Sequence, residues 1–91
     1  MSFVYKYQLA IEDEQEVELP YGAKILHVEE QRGTWCLWAL VSQHSDTTQK
    51  RMIRVAGTGH PIHDEIHHLA HISTFTMNGG ALVFHAFEII R

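Results

Sequence analysis

The apolar and polar positions of this chain repeat with a period of two rather than three to four. Near the start, Phe3, Tyr5, Tyr7, Leu9 and Ile11 alternate with Val4, Lys6, Gln8 and Ala10. Successive side chains of a strand point to opposite faces, so the alternation predicts a half-buried strand with an aromatic inner face. Val17 and Leu19 alternate with Glu16 and Glu18 in a shorter strand that Pro20-Tyr21-Gly22 ends as a turn. Lys24 to Glu30 and Thr34 to Val41 flank Gln31-Arg32-Gly33, which reads as a hairpin. Trp35-Cys36-Leu37-Trp38-Ala39-Leu40-Val41 is apolar on both faces. Such a strand is central in a sandwich or barrel, or is covered by a partner subunit.

Ser42 to Gln49 is polar and aperiodic and reads as a loop. Arg51 to Ala56 is a further strand, with Ile53 and Val55 on one face and Arg54 on the other. The last hairpin joins Ile72–Met77 to Ala81–Ile90 through Asn78-Gly79-Gly80, residues that supply the positive φ angles of a tight turn. There His85 shares a face with Val83 and Phe87, and Phe84 takes the other. The expectation is all-β: one antiparallel β-sandwich or small open barrel of six or seven short strands, with at most one helical turn. The 91 residues form one domain, 1–91, without repeats or linker.

Composition narrows the classes of partner. With 45% hydrophobic and 20% charged residues the chain is globular, not disordered. A net charge of −4 argues against duplex nucleic acid or an anionic membrane, both of which reward a cationic surface. The acidic group Glu12, Asp13, Glu14, Glu16 and Glu18 and the basic group Lys50, Arg51 and Arg54 read as solvated surface. Cys36 is the single cysteine and sits in an apolar run, which fits a buried thiol in a reducing compartment. Neither a signal peptide nor a membrane-spanning run is expected.

Candidate chemistry concentrates between Gly57 and His71, where five of the eight histidines fall within fifteen residues. His63, His67 and His71 are spaced by four. On a helix they would share a face and suit zinc or nickel. The metalloprotease pattern is excluded, because aspartate follows His63 where that motif needs glutamate. Gly57, Thr58, Gly59 and His60, with Arg54 nearby, form a second candidate set for a phosphate or nucleotide-like anion. They lack the Gly-Lys-Ser/Thr end of a phosphate loop, and a plain turn stiffened by Pro61 accounts for the same residues. No serine stands on a nucleophile elbow and no catalytic set converges, so the expectation is a non-catalytic binding role without a cofactor, with two alternatives: a protein that sequesters a nucleotide-like ligand at Gly57 to His60, or a metal-binding protein or metal-dependent hydrolase on His63, His67 and His71. Trp35 and Trp38 are interface candidates for self-association, or they fill the sandwich core.

Five blocks carry a resemblance: Ala23 to Gln31, Cys36-Leu37-Trp38-Ala39-Leu40-Val41, Arg54-Val55-Ala56-Gly57-Thr58-Gly59-His60-Pro61-Ile62, Phe75-Thr76-Met77, and Leu82 to Glu88. Together they resemble a family of small phage and prophage proteins classed as a domain of unknown function. The resemblance implies a bacteriophage source and a place in the cytoplasm of the infected bacterium, and no activity. The residues themselves leave three partners open: a second copy of the chain, a host or phage protein, or a small anionic ligand. In that family an acidic linker typically follows Pro61-Ile62, and this chain carries histidines there instead. His60 lies inside a matching block, whereas His63, His67 and His68 do not.

Overall fold

A computed structural model describes residues 1–90. The chain folds into seven strands: β1 (Ser2–Leu9), β2 (Glu14–Pro20), β3 (Lys24–Gln31), β4 (Thr34–Ser42), β5 (Thr48–Gly57), β6 (Leu69–Met77) and β7 (Leu82–Ile89). Two single 3-10 turns, Ile66–His68 and Asn78–Gly80, complete it, so the last hairpin carries a short helical turn beside the one in the histidine-rich loop. Among the described residues, no helix is long and apolar enough to cross a membrane.

The strands form an antiparallel β-sandwich. One sheet has the order β1-β4-β3 and the other β2-β5-β7-β6. The two-sided apolar strand, β4, is the centre of the first sheet, flanked by partners on both edges. Trp35, Leu37, Ala39 and Val41 point into the sandwich and are buried. From the facing sheet, Leu19, Ile53, Val55, Phe75 and Ala86 join them in one core. Trp35 packs its edge on Phe75 and Phe84, with centroids 5.6 and 5.3 Å away, and its indole N–H donates to Met77 Sδ at 3.1 Å.

The sheets are joined along the β3–β6 side. The Ser73 hydroxyl accepts from Val28 N–H at 3.0 Å and donates to Val28 C=O at 2.7 Å, so one side chain bridges two sheets. β6 reaches this seam through a register shift between His71 and Ser73, and β3 has one between Ile25 and His27. A second polar tie lies close by, two positions along β7 from the partner of Ser73. Arg51 shares the inward face of β5 with Ile53 and forms a two-pronged ion pair with Glu88 of β7, while its Nη1 donates to Ala23 C=O at 2.8 Å.

Three expectations change. β1 ends at Leu9, and Ile11 is exposed in the following turn, where the Gln15 amide stands in for a strand by bonding both Ala10 N–H and C=O. β5 begins at Thr48, because Thr48 to Lys50 pair with β2 despite their polarity. The third change concerns β1. Phe3 and Tyr5 lie on the core-facing side, opposite Val41 and Ala39, yet they remain 39% and 51% exposed. The facing sheet covers Leu9 and part of Tyr7 and leaves the first half of the strand open.

Candidate functional site

The loop leaving β5 starts as a four-residue turn. His60 N–H donates to Gly57 C=O at 3.0 Å, and Gly59 in the third position has φ +86°, as a type II turn requires. The His60 ring lies against Gly57: a Cβ there would stand 3.1 Å from Nδ1. Glycine at 57 therefore serves close ring packing, and glycine at 59 serves the backbone angle.

Beyond the turn, the chain crosses the outer face of the four-stranded sheet and is held there by Arg54. The guanidinium donates from Nε to Asp64 Oδ1 at 2.9 Å, and its Nη2 lies 2.7 Å from the same oxygen and 2.8 Å from Glu14 Oε1. The Asp64 side chain is only 7% exposed. Arg51, although close in sequence, projects from the opposite face of β5 toward Glu88. An open cleft of about 470 Å³ lies beside the loop, lined by Asp13, Arg54, Gly57, His60, His63 and Phe84 among others. The structure thus brings Arg54, Gly57 and His60 to one cleft, but Arg54 is already engaged by two carboxylates. Its charge holds the loop down before it can attract an anion.

The spacing of His63, His67 and His71 does not translate into a shared face. The segment is extended apart from the three-residue turn Ile66–His68, and His71 already belongs to β6. A four-residue interval aligns side chains only on an α-helix, and histidine has little intrinsic tendency to form one. His71 lies on the strand beside Phe87, with ring centroids 5.5 Å apart. The turn gathers a different set: ligand atoms of Glu65, His67 and His68 lie within 4.8 Å of one another. His67 Nε2 is 3.1 Å from Glu65 Oε2, and the His67 and His68 rings are 4.3 Å apart.

A hydrogen-bond chain that sequence reasoning missed runs along the same sheet face. Thr58 Oγ1 lies 2.7 Å from His85 Nε2, His85 Nδ1 lies 3.1 Å from Thr74 Oγ1, and Thr74 Oγ1 lies 3.2 Å from His71 Nε2. Each hydroxyl can donate or accept, so either tautomer of His85 is satisfied on both nitrogens. Only the alternation of His85 with Val83 and Phe87 placed it on a face. Its partners come from a turn and a neighbouring strand that no local pattern links to it.

The second candidate surface is the β1 edge. Trp35, proposed from sequence as an interface residue, is 3% exposed and belongs to the core, because its position in β4 faces the other sheet. Trp38 faces outward and is half-buried, its ring centroid 6.0 Å from that of His27. Near it, Leu40 and its β1 partner Val4 are exposed on the outer face. On the inner face the Phe3 and Tyr5 rings stack at 5.9 Å. The open half of β1 is therefore apolar on both sides of its sheet.

No curated protein and no solved structure matches this chain. A family model does match it, and the match runs over residues 1–91. The chain, from end to end, belongs to the family described as domain of unknown function (DUF7352).

Proposed function

We propose that this chain is a non-catalytic binding protein that assembles with a second copy of itself along β1. The observation that carries this reading is the contrast between the strand edges. β2 presents Glu14, Glu16, Glu18 and Pro20. Charge and proline are the devices by which natural proteins blunt an edge. β3 and β6 close against each other through Ser73. β1 is eight residues long, pairs with β4 without a register shift, and carries one charge, Lys6, and no proline. An antiparallel pairing centred on Tyr5 sets Tyr5 against its own copy and Phe3 against Tyr7. Cross-strand aromatic pairs of that kind are worth roughly 0.2–1 kcal/mol each. The pairing joins the two three-stranded sheets into one and covers apolar side chains on both faces.

The resemblance in the Leu-Trp-Ala-Leu-Val and Gly-Thr-Gly-His-Pro-Ile blocks supports a bacteriophage source and action in the cytoplasm of the infected bacterium. In this reading the assembled protein engages a host or phage protein, in counter-defence or as a minor participant in virion assembly. The loop that crosses the outer face of the other sheet stays clear of β1 and remains available to that partner.

The test compares the wild type with Phe3→Lys/Tyr5→Lys by light scattering after gel filtration. Wild type runs as a dimer and the variant as a monomer of 10.5 kDa with an unchanged strand spectrum. The control Glu16→Lys, on the β2 edge, stays dimeric. A wild-type monomer, or a dimer that survives the lysines, overturns the reading.

A further inference from the structure

We propose that Glu65, His67 and His68 form a surface site for a first-row divalent metal ion, with zinc as the ion to test. The claim is independent of self-association. The ligands are two imidazoles and one carboxylate, a borderline set that zinc accepts with three protein ligands and one open position. Ligand atoms around a tetrahedral zinc with bonds near 2.0–2.1 Å stand roughly 3.4 Å apart. Glu65 and His67 already approach to 3.1 Å, and all three groups fall within 4.8 Å. The remainder, up to about 1.4 Å, falls to side-chain rotation at a largely exposed turn.

The backbone beneath the three ligands is pinned on both sides. On the N-terminal side Asp64, next to Glu65, is held by Arg54. On the C-terminal side His68 C=O accepts from Ile90 N–H at 2.7 Å. Between them His68 N–H closes the turn on Glu65 C=O at 2.9 Å. A site whose ligands sit on a fixed turn loses little chain entropy on binding, and this separates it from a flexible run of histidines. The fourth position faces solvent and takes water.

The experiment titrates zinc into untagged, metal-free protein by calorimetry, with magnesium as the hard-cation control. The expected result is one zinc per chain at micromolar or tighter affinity and no competition from magnesium. His67→Ala, His68→Ala and Glu65→Gln each weaken binding by at least about tenfold, which is about 1.4 kcal/mol. His63→Ala and His71→Ala bind as wild type, which distinguishes the turn from the four-residue spacing. Binding only near millimolar zinc, equal loss in His63→Ala, or no loss in the three ligand variants overturns the site.

Discussion

At the residue scale, Arg54 explains why the histidine-rich loop has a defined path. It stands on the outer face of β5, and its two carboxylate partners come from β2 and from the loop itself. The Asp64 side chain is nearly excluded from water, so replacing it leaves a largely desolvated guanidinium with one partner fewer. Asp64→Asn is expected to cost roughly 1–3 kcal/mol in urea unfolding and to speed amide exchange across the loop between Gly57 and Ile66. Fast exchange confined to the core strands would contradict this. Tyr7 gives a second test. Burial, and next the charge of Tyr5, raise its phenol above the ordinary 10.0. The fold thus favours the neutral form, so the contribution is complete below pH 10.0 and is lost as pH rises through the folded value. Tyr7→Phe should flatten alkaline melting curves. At this scale the sequence was half legible. The outward direction of Arg54 followed from alternation with Ile53 and Val55, but its partner lies in an aperiodic loop ten positions on, where no periodicity points to a contact.

At the element scale, period and turn chemistry carried most of the fold. The two-sided apolar run of β4 marked a central strand, and Pro20-Tyr21-Gly22 and Asn78-Gly79-Gly80 marked the breaks that the structure has. What alternation could not convey was coverage. It assigned Phe3 and Tyr5 to the inner face, which is where they point, but whether the opposite sheet reaches them depends on strand order and on how two sheets overlap. The helical spacing of the histidines failed for a related reason: a four-residue interval has meaning only once a helix exists, and the loop crosses the sheet in extended form. Glu65-Ile66-His67-His68 was in plain view, yet side chains two and three apart converge only because a tight turn folds them together. Ser73 makes the seam between the sheets testable. Ser73→Ala removes the hydroxyl that satisfies both Val28 N–H and C=O, and is expected to cost about 1–3 kcal/mol by denaturant unfolding. A loss within about 0.5 kcal/mol would mean that the seam holds by apolar packing alone.

At the scale of the whole molecule, the sandwich is sealed along β3 and β6 and charged along β2, and it is left apolar and unpaired along β1. Four strands, β1, β2, β3 and β6, are sheet edges, and β1 combines an edge without proline with the exposed side chains of Phe3, Val4 and Tyr5. In the proposed dimer, the loop from Gly57 to His68, with its cleft and its Glu65, His67 and His68 cluster, stays on the other sheet and open to solvent. The most direct measurement is sedimentation equilibrium of the untagged wild-type chain over a hundredfold range of concentration. A reversible dimer of twice 10.5 kDa, dissociating on dilution, is the predicted result. A single species of 10.5 kDa at every concentration would contradict the account.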